Sequence, residues 1–260
     1  MKIAVGMSHL EGSLKQKVQK ICSLPVDGLC FDFRYELKSN EFSQTAIREL
    51  RKRLSEFGMV PGPGVFPLRH GILEPDNQDA RIQALKSSLE LAGKLGTQHF
   101  RIDAGVDELH EEMAENQPLI DILDDLAAYG DKYGVILCVC LPQDKPQTLI
   151  SLCKAVTRGR LKLDFDPLFS LSADEKPSSM LRELHTVLGH VTGHDGTVDS
   201  RGRMKESAIG RGEVNFDEMI VTLDEIEYSQ WMTMVRESGQ NPETDIRNAI
   251  QFVKAIRMEY

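Results

Sequence analysis

The chain has 260 residues, of which 41% are hydrophobic and 27% are charged, and its formal net charge is −9. These values are typical of a globular protein, and the length allows one large core. The negative charge argues against non-specific nucleic-acid binding, which needs Lys and Arg to neutralise phosphates. A local basic pocket is still compatible with this net negative charge.

Cysteine usage and hydropathy bear on the compartment. The five cysteines are an odd number, and their spacing matches no zinc-binding motif, which favours a reducing, cytoplasmic setting. Met1–Gly6 leads directly into an apolar strand and has no secretory h-region. No apolar run is long enough to span a membrane, so no membrane partner is expected.

Short apolar runs alternate with amphipathic stretches along the whole chain. The apolar runs predict strands at Lys2–Gly6, Leu29–Arg34, Met59–Phe66, Gln98–Asp103, Val135–Leu141, Leu161–Asp166, His190–His194 and Met232–Arg236. The amphipathic stretches predict helices at Leu14–Ser23, Ser43–Phe57, Gln78–Leu95, Pro118–Tyr133, Gln147–Val156, Ser178–Leu188, Phe216–Glu227 and Thr244–Ile256. Eight strand–helix pairs predict an α/β fold, a (βα)₈ TIM barrel in a single domain that comprises residues 1–260.

Several local signals mark the joints between elements. Asn215 and Glu218 form a predicted capping pair for the seventh helix. Three glycines between helices and strands are candidates for left-handed terminators, namely Gly58, Gly134 and Gly159. The segment Gly196–Gly212 is predicted to be irregular and to lie over the barrel mouth.

Alternation along the strands separates an inner face from a helix-facing one. At the carboxyl ends of the strands, where TIM barrels place active sites, the predicted rim consists of Asp32, Arg34, Arg101, Asp103, Cys140, Asp166, Thr192, His194, Val235 and Glu237. Internal ion pairs are the simpler interpretation for the lower residues Lys162 and Asp164. Taken together, the rim residues favour a ligand site, because buried unpaired charge is costly.

Five stretches carry a resemblance to a known family: Gly28–Arg34, Leu163–Pro167, His190–Gly196, Ile209–Phe216 and Thr233–Gly239. Over essentially its whole length the chain resembles the sugar phosphate isomerase/epimerase family of xylose-isomerase-like TIM barrels, which also includes endonuclease IV. The resemblance implies a xylose-isomerase-like barrel.

In that family, a Glu, an Asp or His, a His and a Glu on strands five to eight bind one divalent metal, and the two glutamates move the proton. The resemblance assigns these slots here to Cys140, Asp166, Thr192 and Val235. Only Asp166 keeps a family ligand, so we expect no cofactor. A divalent ion (Zn, Mn, Mg or Co) is expected only if this interpretation is wrong, and a zinc site of Cys140, Asp166 and His194 is the alternative.

Two functional hypotheses follow. In the first, the barrel binds a small carbohydrate or sugar phosphate and has lost the family's metal chemistry. In the second, it is an active isomerase or epimerase in which Asp166, Asp195 or Glu237 serves as acid or base. The predicted substrate-binding residues are Arg34, Arg101, Asp103, His194, Arg211 and Arg236. For Arg236 and Glu237, an internal ion-pair role is the alternative.

Other loops and partners are less determined by the sequence. Arg201, Arg203 and Arg211 make the predicted mouth loop basic, which suits a phosphate or carboxylate ligand. Arg69-His70-Gly71 is a second mouth-loop candidate for substrate contact. A DNA-repair activity like that of endonuclease IV is disfavoured, because that activity needs several His and Glu ligands. Assembly into homo-oligomers remains open.

Overall fold

The computed structural model describes residues 1–8, 10–141, 145–171, 176–199, 201 and 203–259. Its strands are β1 (Lys2–Gly6), β2 (Gly28–Asp32), β3 (Val60–Val65), β4 (His99–Asp103), β5 (Ile136–Cys140), β6 (Leu161–Phe165), β7 (Leu188–Gly193), β8 (Asp195–Val198), β9 (Met204–Ser207) and β10 (Trp231–Met234). Within these ranges, eight parallel strands close into a barrel in the order β1, β10, β7, β6, β5, β4, β3, β2.

Helices follow the barrel strands and surround them. They are α1 (Leu14–Cys22), α2 (Gln44–Glu56), α3 (Gln78–Leu95), α4 (Gln117–Asp131), α5 (Pro146–Ala155), α6 (Pro167–Ser170), α7 (Pro177–Leu184), α8 (Phe216–Glu225) and α9 (Pro242–Glu259), with a 3₁₀ turn at Met113–Asn116. This architecture confirms the predicted (βα)₈ barrel. Within the described ranges, none of the helices combines the length and apolarity that a membrane crossing needs.

The alternation of side chains along the strands holds as predicted. The outer-facing residues of the barrel strands pack with the helices in one large core, as Phe31, Phe100 and Leu163 show. The interior contains a small apolar cluster of Ala4, Cys30 and Trp231. Polar side chains are also buried inside the barrel at the level of this cluster, with His190 in register with Trp231 and Thr233 in register with Ala4.

A two-stranded antiparallel hairpin replaces the predicted irregular mouth loop. Strands β8 and β9 pair from Asp195 opposite Ser207 to Val198 opposite Met204. Its tip is closed by Asp199, whose carboxylate accepts hydrogen bonds from the backbone N–H groups of Arg201 and Arg203. Ser200 and Gly202 lie outside the described residues. The hairpin brings residues of β9 over the end of the barrel.

The local joint predictions are confirmed in part. The Glu218 backbone N–H donates to Asn215 Oδ1 at 3.2 Å, as the capping pair predicted. Gly58 and Gly134 have positive φ angles of 69° and 73°, as expected of helix terminators. Gly159 does not, and that prediction was wrong. A Cβ there would lie 2.2 Å from the Ala127 carbonyl carbon, so close packing on α4 explains this glycine.

Candidate functional site

The carboxyl ends of the barrel strands surround a cavity of about 570 Å³, which we call the mouth cavity. Its wall includes most of the predicted rim: Asp32, Arg101, Asp103, Cys140, Asp166, Thr192, His194, Val235 and Glu237. The four slots that the family resemblance assigned to metal ligands therefore converge on one space. A cavity of this size suits a small ligand.

Arg101 lies at the centre of a buried network that closes the floor of the mouth cavity. Its Nε donates to Asp164 Oδ2 at 2.8 Å, and its Nη2 donates to Thr192 Oγ1 at 2.5 Å. Thr192 Oγ1 donates in turn to Asp164 Oδ1 at 3.0 Å. Asp164 thus pairs with Arg101, and the inward Lys162 donates instead to the Thr186 carbonyl. The guanidinium is a positive charge beside Thr192, one of the four slots that the resemblance assigned.

His190 completes this network from below. Its Nδ1 lies 2.7 Å from Asp164 Oδ1, and its Nε2 lies 2.8 Å from Thr233 Oγ1. Burial, assisted by the charge of Arg101, lowers the pKa of His190 to about 4, so the imidazole is neutral at pH 7. Burial alone would raise the pKa of Asp164, but Arg101 and His190 together hold it well below its usual range. The network therefore contains one cation and one anion at neutral pH.

A second group, formed by Asp166, His194 and Glu206, lies at the rim. His194 Nδ1 is 2.9 Å from Asp166 Oδ2, and His194 Nε2 is 3.5 Å from Glu206 Oε1 on the hairpin. Burial opposes protonation of His194, but the hydrogen bond to Asp166 and the nearby carboxylates raise its pKa above the usual value. Asp166 Oδ1 accepts the Leu168 N–H at the start of α6. Both carboxylate oxygens of Asp166 are therefore engaged.

Two further carboxylates face the mouth cavity. Burial raises the pKa of Asp32 and of Asp103 above their usual values. Asp32 Oδ1 accepts from the backbone N–H groups of Arg34 and Tyr35 at 2.8 Å each. Asp32 Oδ2 is buried and has no hydrogen-bond partner among the described residues. These side chains offer acceptors, or donors when protonated, to a polar ligand.

Some predicted site residues lie elsewhere. The Asp195 carboxylate is fully buried outside the mouth cavity, where it accepts N–H groups from Gly196, Gly210, Gly212 and Val214. This corrects its expected place at the mouth, because a glycine-rich loop needs an acceptor for its backbone donors. The exposed Arg211 does not line the mouth cavity either.

Arg34 and Arg236 flank the mouth cavity without forming its wall. The Nη1 of Arg34 donates to the Pro67 carbonyl at 2.7 Å, and the side chain borders a neighbouring groove. Arg236 bridges two carboxylates, with Nε 2.8 Å from Asp245 Oδ2 and Nη1 3.1 Å from Glu206 Oε2. The internal ion-pair alternative describes Arg236 better than its expected role in substrate binding.

The side chains at the four slots do not fit a divalent metal. Burial, followed by the charges of Asp164, Asp166 and Asp103, raises the pKa of the Cys140 thiol well above its usual value, which disfavours the thiolate form. Val235 has no donor atom, and Thr192 Oγ1 accepts from a guanidinium. In the part of the chain that the structure describes, no group of three or more His, Cys, Asp or Glu side chains could hold a metal ion. The alternative zinc site of Cys140, Asp166 and His194 therefore finds no support.

Sequence reasoning missed several residues of the site. Glu206 is the most important, because its carboxylate accepts from the Glu237 and Ser238 backbone N–H groups and so fastens the hairpin to the end of β10. Tyr35, Phe66 and Phe169 also line the mouth cavity. The segment Met204–Ser207 contains one apolar residue and no strand-like alternation, so the sequence offered no signal for Glu206, and the glycine and charge around it indicated a loop.

A closed barrel of eight parallel strands surrounded by helices, with a polar cavity at the carboxyl ends of the strands, defines the class of TIM-barrel proteins. A family model described as "Xylose isomerase-like TIM barrel" matches residues 22–256, and the chain belongs to this family. A comparison with curated proteins gave no significant match.

Solved structures support the fold. A xylose isomerase domain protein from Planctomyces limnophilus is similar with a TM-score of 0.83 and 16% identity, over 99% of this chain and 96% of that one. D-psicose 3-epimerase from Clostridium cellulolyticum H10, solved with D-tagatose, gives 0.76 and 15%, over 98% and 99%. The IOLI protein with a bound zinc atom gives 0.79 and 16%, over 100% and 97%. At these identities the likeness concerns the fold alone.

Proposed function

We propose that this chain binds a small carbohydrate in the mouth cavity without a divalent metal, and that Arg101 supplies the positive charge. The observation that carries the proposal is the contact between Arg101 and Thr192, which places a guanidinium at a slot where the family resemblance implies a metal-binding imidazole. Family membership, and neighbours named for epimerases acting on D-psicose and related sugars, favour a carbohydrate.

Arg101 is paired with Asp164, and its Nη2–H group occupies Thr192 Oγ1, so this slot offers no free oxygen to a metal ion. The guanidinium also offsets part of the attraction of the neighbouring carboxylates for a divalent cation, by on the order of 4 kcal/mol per pair of unit charges at 4 Å in a medium of intermediate polarity. The same N–H groups donate well to hydroxyl or carbonyl oxygens of a sugar. Asp32, Asp103 and Glu237 complement them as acceptors for sugar hydroxyls.

The test is a binding measurement in the presence of EDTA. We expect D-tagatose, D-fructose or D-psicose to bind by calorimetry with the same affinity with and without added Mn²⁺, and we expect well under one metal equivalent in protein purified without chelator. Arg101→Lys keeps the charge but loses the fork geometry, so it is expected to weaken binding about tenfold. Arg211→Lys, outside the cavity, is the matched control. Stoichiometric metal, or sugar binding that requires Mn²⁺, would overturn the proposal.

A second candidate function is metal-free isomerisation or epimerisation. The Asp166–His194 pair favours it, because an imidazole held by a carboxylate at 2.9 Å is a suitable acid–base group at a cavity wall. Incubation of the same ketoses in D₂O with EDTA tests for exchange of the proton next to the carbonyl, by NMR. Exchange that His194→Gln abolishes would establish an enzyme, and binding without exchange would establish a binding protein.

A further inference from the structure

A second cavity of about 720 Å³, which we call the groove, opens beside the barrel mouth. It lies between the segment after β2 and the first half of α3. Phe66 lines both the groove and the mouth cavity. The groove therefore adjoins the candidate sugar site and is separated from it by one aromatic side chain.

The groove is basic although the chain as a whole carries a net charge of −9. Four cationic side chains line it, and Asp76 is the carboxylate among the lining residues: the cations are Arg34, Lys38, Arg69 and Arg81. Among the residues that the structure describes, none of the three arginines has a carboxylate oxygen within 4 Å. By contrast, Arg101 and Arg236 each form such an ion pair.

The guanidinium groups are held by neutral partners. Arg34 lies over the rings of Phe66 and Tyr35, at 5.5 and 5.7 Å from the centroids. Arg69 also lies over Tyr35, at 5.7 Å, and its Nε donates to the Tyr35 hydroxyl at 3.1 Å. Arg81 donates to backbone carbonyls, including that of Asp76 at 3.2 Å. These contacts hold the three guanidinium groups without a direct ion pair among the described residues.

We propose that the groove is an oxyanion-binding site, which recognises a phosphate or carboxylate group. A guanidinium presents five N–H donors in a planar fork that matches both groups, and the contacts described above use only some of them. Stacking on aromatic rings orients the fork in advance, which lowers the ordering cost of binding. The anion is either free in solution or carried by a carbohydrate whose other end enters the mouth cavity past Phe66.

The first experiment uses inorganic phosphate as the probe, at constant ionic strength, with calorimetry on the wild type and on Arg69→Gln/Arg81→Gln. We expect saturable binding to the wild type and at least tenfold weaker binding to the variant, the effect of losing one charge-assisted hydrogen bond or more. Arg211→Gln, an exposed arginine outside both cavities, should bind as the wild type does. No saturable binding, or equal affinity in the groove variant, would overturn the proposal.

The second experiment separates the two sources of the anion. If the anion belongs to the mouth ligand, a phosphorylated ketohexose should bind more tightly than D-fructose, and Arg69→Gln/Arg81→Gln should remove the difference. If the anion is free, phosphate should bind equally with and without saturating D-fructose. If Arg69→Gln/Arg81→Gln keeps both the phosphate binding and the preference for the phosphorylated ketohexose, the result contradicts the site. Because phosphate alone is the first probe, failure of sugar binding in the mouth would leave this site standing.

Discussion

Arginine side chains occupy both the mouth cavity and the adjoining groove, but they have different partners in the two regions. In the mouth, Arg101 is buried and pairs with Asp164 at 2.8 Å. In the groove, Arg34 and Arg69 contact aromatic rings and a hydroxyl or carbonyl oxygen. The difference teaches that the partner, more than the residue type, separates an arginine that holds a site together from one that is ready to bind an anion.

The largest expected effect comes from removing the paired charge. Arg101→Met leaves Asp164, which is 4% exposed, without its cation, so we expect a loss of about 3–5 kcal/mol in the free energy of unfolding. Arg69→Met removes no ion pair and should change stability by less than about 0.5 kcal/mol. Chemical denaturation at pH 7 measures both. Equal losses in the two variants would break the comparison.

The second prediction asks whether Arg101 keeps cations out of the mouth. Cys140→Glu, Thr192→His and Val235→Glu together restore the side chains that the family resemblance implies for the slots. We expect this triple variant to bind Mn²⁺ weakly, because the guanidinium remains beside residue 192. Adding Arg101→Met should tighten binding about a hundredfold, roughly 2.7 kcal/mol. Calorimetry measures the Mn²⁺ affinity of both variants. Equal affinity with and without Arg101 would contradict the role of its charge.

The third prediction concerns how stability depends on pH through His99, which lies at the start of β4, at the end of the barrel opposite the mouth. Burial, with the charges of Lys2 and Arg160, lowers the pKa of His99 to about 4. The unfolded chain then binds more protons between about pH 6.5 and pH 4, so stability is present above pH 6.5 and falls as the pH drops through this window. Each such histidine contributes about 1.4 kcal/mol per pH unit. Urea denaturation at a series of pH values gives the slope of the free energy of unfolding against pH. In this window the slope should be smaller in His99→Gln by the equivalent of about one proton. An unchanged slope would contradict the assignment.

The barrel itself could be predicted because strand and helix patterns alternate along the chain and most strands carry their own alternation, although the eighth strand was ambiguous by polarity alone. The bounds of β1 and α3 match the predicted ones, and the inner face of β7 follows from His190 and Thr192 alone. The pairing of charges could not be predicted in this way. Arg101 and Asp164 are 63 residues apart, and either could have met another inward charge until the register of β4, β5 and β6 was known.

Loops after the strands were less predictable than the strands. The sequence around Gly210 and Gly212 is compatible with an anion-binding loop or a tight loop, and in the structure their N–H groups donate to Asp195. The same composition fits both arrangements, because a glycine-rich loop needs an acceptor and the sequence does not say whether a side chain or a ligand provides it. The hairpin of β8 and β9 was missed for a related reason, since its strands are only four residues long.

The smallest expected effect sharpens the comparison by testing a third set of arginines. Arg203 pairs with Asp199 at 2.7 Å on the hairpin, and Arg211 is exposed and borders neither the mouth cavity nor the groove. The sequence favoured this loop as the anion site, whereas in the structure three arginines without a described carboxylate within 4 Å line one groove. We therefore expect phosphate to raise the melting temperature of Arg211→Ala as much as that of the wild type, while Arg69→Gln/Arg81→Gln loses the shift. A lost shift in Arg211→Ala alone would return the anion to the hairpin, because only a direct contact there could make an exposed arginine necessary.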